Sequence, residues 1–189
     1  MNVYDFDNTI YDGESALDFF FAYVKVNPAL VKMIPKVVRA LALYTAGKVT
    51  IEDAMKKYAP YVKKYYCEYD KWEEFTERFW NERMDKIKPF YKKIQRDDDV
   101  ILTASPDLTI SEICKRLGIK NYICSHIDNE TGQITRLCMR ENKIKYFFER
   151  YPDAKIENFY TDSIKNDGFF AGNAENVYLV KGDKITKIK

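Results

Sequence analysis

The spacing of hydrophobic and polar positions changes several times along this chain, and each change marks an element. Asn2-Val3-Tyr4 has room for one short strand. From residue 12 to about 91 the pattern predicts almost uninterrupted helix. Asn27-Pro28 offers an N-cap and an N1 proline ahead of a helix over 29–46 that Gly47 stops, with Pro35 adding a kink. Thr50 with Asp53, and Asp70 with Glu73, have the spacing of N-cap and N3 partners opening two further helices. Aromatic residues such as Phe19, Trp72, Phe75 and Phe79 recur at helical spacing, which predicts the interior of a bundle before it predicts a ligand cage.

Beyond Pro89 the period changes. A short helix through Gln95 leads to Val100-Ile101-Leu102-Thr103, a compact apolar run of the kind buried in a parallel sheet. Ser105-Pro106 is expected to begin a helix that ends near Leu117-Gly118. A strand over 121–124, a hairpin turning at 129–132 and reaching Leu137, a helix over 141–151, a strand over 156–160, a glycine-containing loop and a strand over 177–180 follow. Such alternation predicts an α/β fold: a doubly wound, Rossmann-like parallel sheet with an inserted all-helical domain. The core is expected over 1–11 and 92–189, and the insertion over 12–91.

Composition narrows the functional classes by exclusion. The 189 residues are 46% hydrophobic and 32% charged, ordinary for a globular protein, and a net charge of +2 does not predict nucleic acid as a partner. Acidic residues at positions 5, 7, 12 and 14 interrupt any secretory signal pattern, and no apolar run is long enough to span a bilayer. Cys67, Cys114, Cys124 and Cys138 form no C-x-x-C pair, and the single histidine, His126, has no ligand partners beyond nearby Cys124. Free thiols in a reducing cytoplasm are expected, and zinc is not. Between Asp18 and Glu52 there is no acidic residue, while Lys25, Lys32, Lys36, Arg39 and Lys48 are spread through apolar sequence. Such a stretch can lie on an anionic membrane surface. The stronger expectation is that its apolar residues pack within the helical domain and its cations form a solvated face.

The candidate chemistry begins at the first strand. Asp5 and Asp7 are alternate residues, so both leave its carboxyl end on one side, where open α/β sheets carry their sites. Two close carboxylates repel unless a cation sits near them, and Mg²⁺ suits oxygen ligands; the bland alternative is an Asp-rich turn. Thr103 ends an apolar strand and is followed by small Ala104, leaving a hydroxyl and backbone N–H groups suited to an anion. Lys143 opens a helix, and Asp162 ends a strand with Asp167 five residues further on.

Taken in order, Asp5-Phe6-Asp7-Asn8-Thr9, Leu102-Thr103-Ala104-Ser105-Pro106, Asn142-Lys143 and Thr161-Asp162-Ser163 resemble the four motifs of the haloacid dehalogenase (HAD) superfamily of phosphohydrolases, nearest its phosphoserine phosphatase-like branch. The insertion is similar to that superfamily's helical C1 cap. The resemblance implies a phosphomonoester hydrolase for a small phosphorylated metabolite, working through an aspartyl-phosphate. Asp5 is then the nucleophile, Asp7 the general acid and base, and Thr103, Ala104 and Lys143 the phosphate-binding groups. Mg²⁺ is then held by Asp5, the carbonyl of Asp7 and Asp162, and Asp167 orients Lys143 or a metal-bound water. A phosphotransferase with the same intermediate and a non-catalytic phosphate-binding module are the alternatives. Departures from the branch remain. Ala104-Ser105-Pro106 stands where serine-phosphate enzymes carry Gly-Gly, and Ser105 is a second hydroxyl near Thr103. The spacing from Asp162 leaves Asn166 or Asp167 to complete the fourth motif. Glu14 has the spacing of a substrate-facing glutamate, but the exposed loop acid is the favoured reading because the companion motif differs.

Overall fold

Strand β1 (Asn2–Tyr4) is buried at all three positions, as a strand covered on both faces must be. In the computed structural model, which describes residues 1–189 and every side chain except those of Leu41, Thr45, Ile51, Glu52 and Met55, it is the centre of a seven-stranded sheet. It pairs in parallel with β2 (Val100–Pro106) and β5 (Ile156–Thr161). β3 (Asn121–Ile127) and β6 (Ala174–Lys181) extend the parallel region outward, while β4 (Ile134–Arg136) and β7 (Lys184–Lys187) run antiparallel at the edges. The order β4-β3-β2-β1-β5-β6-β7 places successive crossovers on opposite sides of β1. The doubly wound α/β architecture is therefore present.

Alternation along the strands builds two cores. Tyr4, Ile101 and Tyr160 face one cluster, shared with α5 (Pro89–Ile94), α6 (Asp107–Leu117) and the inserted helices; Val3, Val100, Leu102 and Phe159 face the other, with Phe147 of α7 (Asn142–Arg150) and Phe170 of α8 (Ile164–Ala171). Tyr4 stacks on Tyr160 at 4.6 Å and Tyr160 on Tyr178 at 4.7 Å, so an aromatic ladder crosses three adjacent strands. This gives β1 a rigid floor beneath its carboxyl end.

Between β1 and β2 run α1 (Ser15–Val26), a 3₁₀ segment (Pro28–Met33), α2 (Ile34–Thr45), α3 (Ile51–Val62), a π turn (Lys63–Cys67), α4 (Trp72–Asn81) and a 3₁₀ turn (Met84–Lys86). The outgoing and returning chains lie side by side, Asp12 donating to the Lys86 carbonyl and Lys88 to that of Ile10, both at 2.8 Å. Phe19 meets Phe75 and Phe79 at 5.0 Å, and Tyr23 meets Trp72 at 4.6 Å, so the aromatics are interior packing as expected. Trp80 donates to the Thr109 carbonyl at 2.9 Å, tying α4 to α6.

Several local expectations change. Asn27-Pro28 opens a 3₁₀ segment, and Pro35 sits in the first turn of α2 instead of kinking a continuous helix, because there its missing N–H breaks no helical bond. Thr50 does cap α3, accepting from the Asp53 N–H at 3.1 Å, but Lys71 and not Asp70 precedes α4. Ser105 and Pro106 belong to β2, Pro106 pairing with Ser125, and α6 begins at Asp107. The proline and the residue before it both favour extended backbone. The glycine-containing stretch after β5 is the helix α8, capped by Ser163, since burying Phe170 against Phe147 and Phe159 overrides the propensity of Gly168.

The basic stretch divides. Leu30 and Met33 are buried, Val31 and Val38 are exposed, and Lys36 donates to the Tyr61 hydroxyl at 2.6 Å instead of being solvated. Among the described residues no helix is long and apolar enough to cross a membrane. All four cysteines are free thiols.

Candidate active site

The register of the sheet brings three strand ends together. Tyr4 lies level with Ile101 and Tyr160, and the Asp5 N–H donates to the Tyr160 carbonyl at 2.9 Å, so Asp5 emerges beside Thr161. Lys143, in the first turn of α7, reaches Asp5 Oδ1 at 2.8 Å and Asp167 Oδ1 at 2.8 Å. Asp167 in turn accepts from the Thr161 hydroxyl at 2.7 Å. Asp5, Lys143, Asp167 and Thr161 are all buried, so these bonds work in a medium where charge interactions are strong and unpaired charge is costly. Asp167, and not Asn166, joins this chain of contacts; Asn166 is exposed and its N–H caps α8 through Ser163.

Asp7 has a different environment. Its Oδ1 accepts from the Ser15 N–H at 2.6 Å, at the start of α1, where the helix dipole favours a carboxylate. Its Oδ2 accepts from the Ser105 hydroxyl at 2.6 Å, and the Ser15 and Ser105 hydroxyls are 2.9 Å apart. Thr103 is fully buried, its Oγ1 accepting from the Ser105 N–H at 3.1 Å, and the Ala104 side chain is exposed. Glu14 is exposed and accepts from the Asn8 amide at 2.6 Å, the behaviour of a loop acid. Asn8 itself is left-handed at φ 55°, a conformation asparagine tolerates.

Ser15, Ser105 as a partner of Asp7, Thr161 and Lys88 are the residues that sequence reasoning missed. Lys88 is buried, donating to the Asn8 carbonyl at 2.5 Å and to that of Gly182 at 3.0 Å, and so pins the turn after Asp7. Thr161 carried a signal, being one residue before Asp162 at a strand end. Ser15 and Lys88 carried none. His126, left without a role by its sequence context, bonds through Nδ1 to the Asp107 carboxylate and ties the start of α6 to β3.

The electrostatics share one sign. Burial pushes the Asp5 carboxyl up, as do Asp167 and Asp7, against the pull of Lys143. Burial also raises Asp7, despite the hydrogen bonds from Ser105 and Ser15 that favour its charged form. Asp162 is raised by burial and by Asp167, with Lys181 and Lys143 opposing. Burial alone would lower Lys143, but Asp5 and Asp167 outweigh it and hold the ammonium above the ordinary lysine value. The carboxylates exceed the cations that face them, a setting that favours one more positive charge. Among the described residues no three acidic, histidine or cysteine side chains form a ready metal cage. Asp5 and Asp162 follow the adjacent strands β1 and β5, and carboxylate oxygens are the donor chemistry that suits Mg²⁺.

A model of the haloacid dehalogenase-like hydrolases matches residues 3–167, which takes in Asp5, Asp7, Thr103, Lys143, Asp162 and Asp167. The chain belongs to that family. No curated protein sequence matches this HAD hydrolase. Among solved structures it is similar to a protein of unknown function from Bordetella pertussis Tohama I, 16% identical over 94% of this chain and 87% of the other, with a TM-score of 0.76. It is similar to a phosphoserine phosphohydrolase-like protein from Francisella tularensis, 18% identical over 94% and 86%, with a TM-score of 0.59. It also resembles phosphoserine phosphatase from T. onnurineus, 16% identical over 94% and 81%, with a TM-score of 0.54. At such identities the likeness is one of fold, and it agrees with the doubly wound sheet.

Proposed function

We propose that this HAD hydrolase is a Mg²⁺-dependent phosphomonoesterase that works through an aspartyl-phosphate on Asp5. One observation carries the reading: two carboxylates two residues apart, Asp5 buried and Asp7 half-buried, are held by opposite kinds of partner. Asp5 sits against an ammonium that Asp167 and Thr161 keep in place, while Asp7 is held by an N–H and a hydroxyl. The first arrangement sets a cation against the nucleophile, where it opposes the protonation that burial favours. The second holds a carboxyl group that can gain and lose a proton.

In the first step Asp5 attacks phosphorus and the ester P–O bond breaks, with Asp7 giving its proton to the departing alkoxide. In the second, Asp7 takes a proton from water, whose oxygen attacks phosphorus, breaks the acyl phosphate bond and releases phosphate and free Asp5. Lys143, the Thr103 hydroxyl and the Ala104 N–H balance the charge spreading over the phosphoryl oxygens. Asp5, Asp162 and the Asp7 carbonyl would hold Mg²⁺, whose charge would let carboxylate and phosphate approach. Asp167 positions Lys143. The inserted helices, taken as a cap over 12–91, select the alcohol, and the free thiols fit a reducing cytoplasm.

Hydrolysis of p-nitrophenyl phosphate by the purified chain with Mg²⁺ tests the reading. Abolition by EDTA and restoration by Mg²⁺ are expected, whereas turnover indifferent to EDTA would remove the metal from the reaction. Release of phosphate unaffected by an added acceptor alcohol distinguishes a phosphatase from a phosphotransferase.

A further inference from the structure

A cavity of about 460 Å³ lies among the inserted helices, the start of α6 and the β3–β4 hairpin. Protein interiors are close-packed, and a void of this size falls within the range of ligand pockets. Its walls include Phe20, Leu30, Met33, Val37, Tyr58 and Trp72, and no Asp, Glu, Lys or Arg side chain lines it among the described residues. Two of the hydroxyls on the wall are engaged, that of Tyr23 donating to the Tyr65 carbonyl at 2.7 Å and that of Tyr61 accepting from Lys36, and the buried Thr109 hydroxyl is a neutral group without a partner. A charged occupant would lose its hydration there with no counter-charge in return.

The position of the cavity matters as much as its lining. Ala16 and Pro106 are on its wall, and they adjoin Ser15 and Ser105, the two residues that hold Asp7. Asp7 is the group assigned above to protonate the leaving oxygen, so the alcohol side of the phosphoryl group faces the cavity. The roof is fixed as well. Gly132, at φ 72°, lies so close to α3 that a Cβ there would stand 2.5 Å from the Lys63 nitrogen and 2.7 Å from the Ala59 carbonyl oxygen. The absence of that side chain lets the hairpin close over the apolar space.

We infer that the substrate is the phosphomonoester of a long-chain, lipid-like alcohol, with the phosphate at Asp5 and the hydrocarbon chain in this cavity. The inference rests on the phosphatase reading and sharpens it. An amino-acid ester such as phosphoserine fits poorly, because its ammonium and carboxylate have no counter-charges on the cavity wall.

The test is a series of n-alkyl phosphates from ethyl to decyl, kept below their micelle concentrations, with Mg²⁺ and the full chain. Each methylene moved from water into the cavity raises kcat/KM about fourfold until the space is filled. Decyl phosphate is therefore expected to exceed ethyl phosphate by at least about 10²-fold, with phosphoserine no better than ethyl phosphate. A flat series, or a preference for phosphoserine, overturns the inference. Ala40→Phe and Ala54→Phe put bulk into the cavity and should each cut the decyl-to-ethyl ratio at least about tenfold, in protein whose circular dichroism shows an intact fold. A ratio unchanged in both variants also overturns it. Calorimetry with the matching alkyl phosphonates separates the two claims. Length-dependent binding with no ester hydrolysed would sink the phosphatase reading and keep the cavity assignment. Hydrolysis of p-nitrophenyl phosphate without any dependence on chain length would sink the cavity assignment alone.

Discussion

The strand-end site and the inserted helices are built on opposite principles. At the ends of β1, β2 and β5, charged and polar groups are buried in pairs, and each bond has a defined partner: Lys143 with Asp5 and Asp167, Asp7 with Ser15 and Ser105. In the inserted helices the interior is aromatic and aliphatic, and it leaves a large space unfilled. Directional bonds on a rigid sheet hold atoms to the tolerance that phosphoryl transfer requires. Non-directional contacts in a loosely filled helical region accommodate shape and chain length. Changes in the first region should therefore act on all substrates alike, and changes in the second should act on discrimination between them.

The largest effect expected is that of Asp5→Asn. It removes the nucleophile and should lower kcat at least about 10³-fold on every ester, with the far-ultraviolet circular dichroism unchanged. A variant with near-parental turnover would leave the strand-end site without its central role. Asp7→Asn should cost about 10² to 10⁴ in rate with an alkyl ester and much less with p-nitrophenyl phosphate, whose leaving group requires little protonation. Equal losses on both esters would show that Asp7 does something other than proton transfer.

Lys143→Ala leaves Asp5 and Asp167 buried without their common counter-ion. Urea unfolding should show a loss of about 3–5 kcal/mol in stability in addition to lost activity. A loss below about 1 kcal/mol would mean that the site's charges are screened by water and are not a buried network. Gly132→Ala combines a left-handed backbone with a backbone clash against α3, and should lower stability by about 1–3 kcal/mol. Its signature is selective: hairpin and α3 become open to proteolysis and the decyl-to-ethyl ratio falls, while the strand-end bonds are untouched.

The smallest effect sharpens the contrast from the opposite end of the sheet. Asp99, at the start of β2, is a buried carboxylate that burial pushes up to about 6, against the Arg96 N–H and guanidinium that favour its charge. A carboxyl raised in the folded state favours folding below its unfolded value, near 4, and that contribution is lost as pH rises through about 6. Asp99→Asn should therefore flatten the fall in stability between those values, a change of about 1–2 kcal/mol readable in urea midpoints across that pH range. An identical pH profile in parent and variant would place the titration elsewhere.

Much of this was legible in the chain itself. Alternating apolar runs and helical patterns predicted the doubly wound sheet, because strand and helix periods are local consequences of burial. The pair Asp5 and Asp7 was legible because a strand exposes alternate residues at one end, whereas Lys143, opening a helix, was a weak signal by itself and gained weight only from its order and spacing among the other motifs. What required the folded chain was everything that depends on contact across long separations. Thr161 and Asp167 are six residues apart, but their bond serves a lysine 138 residues from its carboxylate partner Asp5. Ser15 meets Ser105 across 90 residues and Lys88 meets Asn8 across 80, pairs that no local pattern encodes. The choice of Asp167 over Asn166 came from which residue the first turn of α8 buries, and that helix was itself hidden behind Gly168 until Phe170 found its packing partners. Composition predicted apolar helices but not the space among them, since a cavity is a property of how faces meet and not of any one face.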